Sequence, residues 1–401
     1  MRNATWVLLV LFVFAIPWEY SLDAGAPFGH IARILGIATV AMAVPAMLRA
    51  GKFRTLNTTH WLVLALYLWF CCTYFWTATP HETLVHLRGY AQEMMLVWLV
   101  WEFAETAKKL QLLLRAWLAG SWLLAILTIA GFVFSASLET DQVRFVATGQ
   151  DPNDVARFLV FGFPIAWTLL ESTEPRVWRA VWWLYFPVGA AAVLLTASRS
   201  GLLMAIVALG GCGVVAFRNH AKSVIVMGAT VISAVLLIFA AAPAGTVDRL
   251  GTTAELLQAG NLNQRVNIWS AGWRAFQAAP ILGHGAGSFV AAAELGPEDT
   301  AHNTVLSLMV EGGLCALILA SAIVVWSARA IGDTRGPLRF GLSALLLLWA
   351  ISSVTGTVWE SRLTWLLFGI AAVSPRLTER ARNEDDELEV GGAAKEFMGF
   401  A

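Results

Sequence analysis

The sequence has 401 residues, of which 58% are hydrophobic and 13% are charged, and its 27 basic and 27 acidic side chains cancel at pH 7. Soluble domains have about 45–50% apolar and roughly 25% charged residues, so the composition excludes an ordinary soluble protein. The zero net charge also argues against the basic footprint of a nucleic-acid-binding protein. Its 19 tryptophans are typical of a membrane protein, in which aromatic rings anchor helices at the lipid–water interface.

About twelve apolar segments approach the length at which a helix crosses the hydrocarbon core, roughly 20 residues. Their centres lie near residues 12, 40, 68, 94, 122, 163, 187, 208, 232, 313, 346 and 366. We therefore predict an all-α polytopic membrane protein with residues 1–401 as a single transmembrane domain. Residues 377–401, which include an acidic run at 384–387, are expected to be a disordered cytoplasmic tail.

Lysine and arginine set the predicted orientation, because short cytoplasmic loops are enriched in these residues. If the N-terminus is inside, every even-numbered connection is cytoplasmic, and these connections and the tail contain all five lysines. Both termini are then cytoplasmic. Residues 243–301 form one large outer loop between the ninth and tenth spans, in which we expect most of the chemistry.

The basic residues expected on the outer side are few, and all of them are arginines. They include Arg144, Arg157, Arg199, Arg249, Arg265 and Arg274. A guanidinium presents a fixed fork of donors that matches phosphate oxygens, so these residues suit a lipid diphosphate whose tail lies in the bilayer. The alternative is that each arginine only extends to the headgroups. For Arg199, in a tight connection between two spans, we favour the functional interpretation.

A helix is predicted in the outer loop from residue 264, with Asn263 as its cap and Pro280 beyond its end. Arg265, Trp269, Phe276 and either Gly272 or Trp273 share one face of this helix. The helix N-terminus and Arg265 together favour a bound anion. The face could instead only pack against the bundle.

Three glycines at 283–287 predict a compact turn, in which His284 is a structural residue. His302 is expected in the first turn of the next spanning helix, capped by Asn303 or Thr300. Its imidazole, with an ordinary pKa near 6.5, can take up a proton. Glu311 would lie half a turn away and about 14 Å deeper on a continuous helix. We therefore expect Glu311 to pack or pair within the membrane rather than to act with His302.

The order of these motifs resembles the O-antigen ligase and O-antigen polymerase superfamily. The resemblance covers most of residues 140–330, and the remainder is similar only in topology. The motifs are Asp151-Pro-Asn-Asp154, Ser198-Arg199-Ser200-Gly201, Arg265-x-x-x-Trp269, Pro280-x-x-Gly-x-Gly-x-Gly-x-Phe289, Ala301-His302-Asn303 and Glu311-Gly312. The resemblance implies a GT-C-like fold in the bacterial inner membrane, with the active site facing the periplasm.

The resemblance also implies a glycosyltransferase that uses no metal or cofactor. Its donor would be an undecaprenyl-diphosphate-linked glycan and its acceptor a sugar of the lipid A core. Arg199 and Arg265 would bind the diphosphate. His302 would act as the general base in a direct, inverting attack, or would bind phosphate as an imidazolium. The weaker substrate-binding candidates are Arg157, Asn303, Arg249, Arg274 and Asp154.

Three other functions fit parts of the sequence. An O-antigen polymerase and a protein O-oligosaccharyltransferase share the same motifs and differ in their acceptor. A secondary transporter of an organic anion would suit twelve spans and outer arginines, but the chain shows neither an internal repeat nor a matched pair of broken helices. A monomer is favoured, with the lipid bilayer as its surroundings.

Overall fold

The computed structural model describes residues 1–377 and 379, apart from 24, 26–28, 52, 138–143, 173–174, 252–264 and 297–298. Regular structure in these residues is helical, and the extended pairing found among them is an isolated bridge between Asp23 and His30. The helices are α1 (Arg2–Ala15), a 3₁₀ helix (Ile16–Ser21), α2 (Ile31–Ala50), α3 (Thr58–Thr73), α4 (Pro80–Phe103), α5 (Ala107–Ser137), α6 (Pro152–Leu170), α7 (Arg176–Leu195), α8 (Arg199–Ala241), α9 (Ala244–Gly251), α10 (Arg265–Ala278), α11 (Phe289–Ala292), α12 (Thr304–Asp333), α13 (Gly336–Thr355) and α14 (362–377).

Every predicted span centre lies in one of these helices. Eight segments of the described chain are long and apolar enough to cross a membrane. The predicted class of an all-α, multi-pass membrane protein is therefore confirmed. The number of twelve stays a prediction, because α3, α4, α6 and α14 are shorter or more polar than those eight.

Helix α8 must turn back on itself. A straight helix over Arg199–Ala241 would be about 63 Å long at 1.5 Å per residue, and eight further residues reach at most about 28 Å. Yet Nε of Arg199 donates to the carbonyl of Arg249 at 2.9 Å. The range therefore contains two antiparallel segments, which correspond to the separate candidate spans Arg199–Phe217 and Ala221–Ala241. These two segments are the eighth and ninth predicted spans.

Charged groups from distant connections meet at one end of the bundle. Arg2 lies 3.3 Å from Glu102, and the backbone N–H of Arg54 donates to the same carboxylate at 3.2 Å. The Nζ atom of Lys109 lies 2.9 Å from Glu105. His86, in the second turn of α4, lies about 24 Å from this end, because sixteen residues at 1.5 Å each separate it from Glu102.

Helix α6 lies at the centre of the bundle and packs against α5, α7, α8 and α13. All its residues from Val155 to Leu170 are buried. Its N-terminus is capped by the Asp151 side chain, which accepts the backbone N–H groups of Asn153 and Asp154. The motif at 151–154 is thus held where the central helix emerges from the core.

Candidate active site

A cavity of about 760 Å³ lies at the end of the bundle away from Glu102 and Lys109. It is enclosed by residues from α4, α6, α10, α11 and α12 and by three connections. These are residues 280–288, which we call the glycine-rich loop, the connection between α11 and α12, and the connection after α13. Its polar lining consists of Thr79, Glu82, His86, Asp151, Asn153, Asp154, Arg157, Arg265, Thr300, His302, Ser307, Glu311, Thr355, Thr357 and Glu360. The cavity thus brings together His302, Arg265, Arg157 and Asp154 of the predicted site residues.

We predicted that His302 lies in the first turn of a helix, and this was wrong. It precedes α12, and its backbone has a φ of +45°, a left-handed conformation that costs about 1 kcal/mol or more in a residue other than glycine. Asn303 caps α12, with its side chain accepting the N–H of Leu306 at 3.0 Å. The Thr300 hydroxyl lies 3.3 Å from each ring nitrogen of His302. The cap and this strained residue direct the imidazole into the cavity.

Asn303→Ala is expected to lower the free energy of unfolding by about 1 kcal/mol, the usual effect of losing a helix cap. It also removes the hydrogen bond that fixes the residue next to His302, so glycan transfer should fall as well. Asn303→Asp keeps a capping oxygen and serves as the control. Thermal unfolding of the two purified variants in detergent measures the difference. Equal melting temperatures for Asn303→Ala and the wild type would contradict this role of the cap.

The charges around His302 favour its neutral form. Burial, followed by the nearby Arg265 guanidinium, lowers the pKa of His302 below its ordinary value of 6.5, although Asp151, Asp154 and Asp299 act in the opposite direction. Arg265 lies at the first described residue of α10 and is itself partly buried. At neutral pH the cavity therefore presents an uncharged imidazole next to a guanidinium.

Helix α10 is fixed to the segment that precedes His302. Nε1 of Trp269 donates to the carbonyl of Ala301 at 3.0 Å. The buried face of the helix contains Gly272, where a Cβ would lie 2.9 Å from Leu306, whereas Trp273 is exposed. Of the two residues that the sequence analysis could not choose between, Gly272 therefore lies on the packed face of the helix. The predicted cap Asn263 and the start at Gln264 lie outside the described residues.

Arg157 reaches the cavity from the central helix and is already paired. Its Nη2 lies 2.9 Å from Oδ1 of Asp154, one turn earlier on α6. The side chain of Arg157 is 10% exposed and that of Asp154 is 40% exposed. The carboxylate offsets the charge of Arg157, which makes this arginine a weaker site for an anion than Arg265.

Arg199 does not line the cavity and lies in a neighbouring group of three arginines with Arg144 and Arg249, which we call the arginine cluster. Arg199 and Arg249 are joined through the 2.9 Å hydrogen bond to the Arg249 carbonyl. Nε of Arg144 donates to the carbonyl of Thr196 at 3.1 Å. Burial, then the charge of Arg249, lowers the pKa of the Arg144 guanidinium, which nevertheless stays charged at neutral pH. Three adjacent positive charges create a field that attracts an anion.

Asn153 connects the arginine cluster to the cavity, because it lines the cavity and also accepts a hydrogen bond from the cluster. Its Oδ1 accepts from Nη2 of Arg144 at 3.1 Å and from the Ser198 hydroxyl at 2.9 Å. The two motifs recognised in the sequence around residues 151–154 and 198–201 are thus in direct contact. Of the other predicted residues, Asn303 serves as the cap, and Arg274 is exposed on α10 away from the cavity.

Helix α12 is broken at Gly313, which has a φ of +64° and a ψ of −165°. The break frees carbonyl and N–H groups inside the bundle, where each needs a hydrogen-bond partner. The glycine-rich loop supplies these partners. The bonds run from His284 N to Val310 O, from Gly285 N to Glu311 O and from Leu314 N to Pro280 O, at 2.8, 2.8 and 2.9 Å. The predicted compact turn therefore docks on a helix break that the sequence did not indicate, and His284 has the structural role expected.

The docked loop places Glu311 in the cavity. Its Oε2 accepts the N–H of Gly287 at 2.9 Å, and its Oε1 accepts the Ser307 hydroxyl at 3.2 Å. Glu311 is thus buried and paired, as expected, and it also lines the cavity together with His302, which we did not expect. His302 and Glu311 line the same cavity because His302 lies outside the helix, so a count of helical turns between them does not apply.

Sequence reasoning missed Glu82, His86 and Glu360, which line the cavity near Glu311. Nε2 of His86 lies 3.8 Å from Oε1 of Glu360. A signal existed, because ionisable residues in or beside apolar spans are rare and mark functional sites by default. In the described ranges, no three His, Cys, Asp or Glu side chains are grouped so as to hold a metal ion.

Residues 184–321 match the family described as O-antigen ligase. The matched segment, about a third of the chain, is similar to this family. The predicted resemblance to the O-antigen ligase superfamily is confirmed over it, and with it a ligase or polymerase type of activity. The matched segment contains Arg199, Arg265, His302 and the broken part of α12, whereas α4 and α6 lie outside it. A comparison of the chain with curated proteins finds no match.

Proposed function

We propose that this protein transfers an O-antigen glycan from undecaprenyl diphosphate to a sugar of the lipid A core. The observation that carries the proposal is the position of His302 and Arg265 in one cavity of about 760 Å³, next to the arginine cluster. A transferase of this type needs a base for the acceptor and positive charge for the leaving diphosphate. The segment that matches the O-antigen ligase family contains both residues.

The distribution of charge indicates where each substrate lies. Five carboxylates and two guanidiniums line the cavity, so acidic side chains outnumber arginines. The carboxylates belong to Glu82, Asp151, Asp154, Glu311 and Glu360, and the guanidiniums to Arg157 and Arg265. A diphosphate is therefore favoured on the side of Arg265 and the arginine cluster, away from Glu82, Glu311 and Glu360. The acceptor sugar then lies beside these three carboxylates, with His302 between the two substrates.

In this mechanism neutral His302 removes the proton from the acceptor hydroxyl. The oxygen attacks the anomeric carbon of the donor from the face opposite the diphosphate, so the configuration is inverted. The bond from carbon to the diphosphate oxygen breaks, and the leaving group takes its electron pair. Arg265 and Arg199 stabilise the negative charge that develops there. The proton stays on His302 until water removes it.

The same proposal fixes the orientation in the membrane. The end of the bundle with Arg2, Arg54 and Lys109 faces the cytoplasm, as the bias of basic residues favours. The cavity then faces the periplasm of a bacterium, and the donor lies in the outer leaflet of the inner membrane.

Arg265→Ala should lower kcat for glycan transfer by about 10²–10³-fold, the usual effect of removing one group that stabilises developing charge. Arg339→Ala is the control, since this arginine is exposed at the start of α13 and does not line the cavity. The assay contains purified protein, undecaprenyl-diphosphate-linked glycan and lipid A core. Unimpaired transfer by Arg265→Ala would contradict the diphosphate assignment.

The same assay separates the alternative functions. A wild-type protein that lengthens the lipid-linked glycan and ignores lipid A core would be a polymerase. One that modifies only a Ser- or Thr-containing protein would be an oligosaccharyltransferase. Absence of every transfer, with uptake of an organic anion into proteoliposomes, would identify a transporter.

The pH dependence of transfer tests the form of His302 that acts. Because burial and Arg265 lower its pKa, the neutral base persists to a lower pH than in a free histidine. Transfer measured as kcat/KM should therefore fall to half its value only at a pH below 6.5, the ordinary pKa of histidine. A rate that rises as the pH falls through this range would contradict the base and indicate an imidazolium that binds phosphate.

A further inference from the structure

The charged groups of the cavity form two separate sets. The electrostatic neighbours of His302 are Arg265 and the carboxylates of residues 151, 154 and 299. His86 instead interacts with Glu82, Glu311 and Glu360. We call these four residues the acidic wall. They come from α4, α12 and the connection before α14, and they line the cavity together.

The acidic wall has an unequal supply of donors and acceptors. Nδ1 of His86 lies 2.9 Å from the carbonyl of Glu82, which can only accept, so this nitrogen carries the hydrogen. Glu360 accepts from the Tyr90 hydroxyl at 3.2 Å, and Glu311 accepts from Gly287 and Ser307. A carboxylate has about four acceptor positions. The hydrogen bonds among the described residues occupy one such position on Glu360 and two on Glu311, so the wall can accept further hydrogen bonds.

A second observation shows an unsatisfied group in the same cavity. The Thr357 hydroxyl is buried and has no hydrogen-bond partner among the described residues, although Thr357 lines the cavity. Buried polar atoms normally have a partner. A ligand with several hydroxyl groups would supply donors to the carboxylates and a partner to Thr357.

We infer that the acidic wall is the acceptor subsite and selects a neutral or amine-bearing sugar over a sugar with a carboxylate or phosphate. The inference rests on the proposed function and names the class of its acceptor. Sugar hydroxyls and an ammonium group donate hydrogen bonds to carboxylates, whereas an anionic sugar would be held against like charge in a site of reduced dielectric constant. Glu360 contributes most directly, because it is the carboxylate next to both His86 and Tyr90.

The test compares two lipid-linked acceptors that differ in one group, a terminal neutral hexose and the corresponding uronic acid. The wild type should transfer to the neutral acceptor with a kcat/KM at least tenfold higher, about 1.4 kcal/mol. Glu360→Gln keeps the shape of the side chain and removes its charge, so it should reduce this ratio at least threefold. Asp333→Asn is the matched control, because this exposed residue lies at the opposite end of α12; it should leave the ratio unchanged.

A second measurement needs no variant. A free neutral methyl hexoside should inhibit transfer by the wild type at concentrations at which the methyl uronide does not. Equal transfer to both acceptors, or equal inhibition by both glycosides, would overturn the inference and leave the proposed function intact. Absence of transfer to either acceptor would overturn the proposed function, and the inference with it.

Discussion

Gly313→Ala is expected to lower the free energy of unfolding by roughly 2–6 kcal/mol, the sum of backbone strain and overpacking. The φ of +64° and ψ of −165° at this residue belong to a region that is almost restricted to glycine. A Cβ at this position would lie 2.1 Å from the carbonyl oxygen of Ile281 and 2.8 Å from the nitrogen of Gly283. Both are backbone atoms, so the glycine-rich loop must move.

The same substitution should impair transfer, because the loop that moves also holds Glu311 through Gly287. Thermal unfolding in detergent and the transfer assay measure the two effects. Gly228→Ala is the control: it lies in α8, where a Cβ would meet no atom within 4 Å, and alanine there should stabilise the helix by up to about 1 kcal/mol. If the Gly313→Ala variant unfolded at the same temperature as the wild type, the break in α12 would tolerate a side chain and the prediction would be wrong.

The sequence predicts the parts of the site that are continuous in the chain. The apolar segments, the compact turn and the cap at Asn303 follow from local rules, and each lies where those rules put it. Arg265 and His302 were found because charged and titratable residues stand out in an outer loop. These predictions need no knowledge of which helices are neighbours.

The parts that were missed depend on contacts between distant segments. His86 and Glu360 are 274 positions apart in the sequence, and only the packing of the bundle brings them to 3.8 Å. The break at Gly313 is stabilised by hydrogen bonds to residues about thirty positions earlier. An isolated Gly-Gly pair within an apolar run is equally compatible with close helix packing. Local rules could therefore not distinguish a broken helix from a continuous one.

The unexpected position of Glu311 in the cavity has the same origin. A continuous helix from residue 301 would set His302 and Glu311 half a turn apart, but the left-handed conformation of His302 excludes it from the helix. A non-glycine residue with a positive φ is uncommon, and histidine tolerates this conformation better than most. The strain at His302 is itself an indication of function, since strained residues cluster at active sites.

Replacement of His302 should have the largest effect on catalysis. If His302 is the general base, its removal should lower kcat for transfer by about 10²–10⁴-fold. Alanine at this position would also disturb the backbone, because it tolerates a φ of +45° poorly. His302→Asn avoids this ambiguity, since asparagine adopts the left-handed conformation readily but cannot take up a proton near pH 7. We expect His302→Asn to melt within a few degrees of the wild type and to be nearly inactive.

His81→Ala is the matched control, since His81 is exposed in the first turn of α4 and does not line the cavity. Its transfer rate should stay within about twofold of the wild type, because exposed substitutions have small effects. If His302→Asn retained most of the wild-type kcat, His302 would not be the base. His86 would then become the candidate, because its Nε2 faces the cavity beside Glu360 while Nδ1 is fixed by the Glu82 carbonyl. His86→Asn would distinguish the two histidines, since only the residue that accepts the proton should be indispensable to the chemical step.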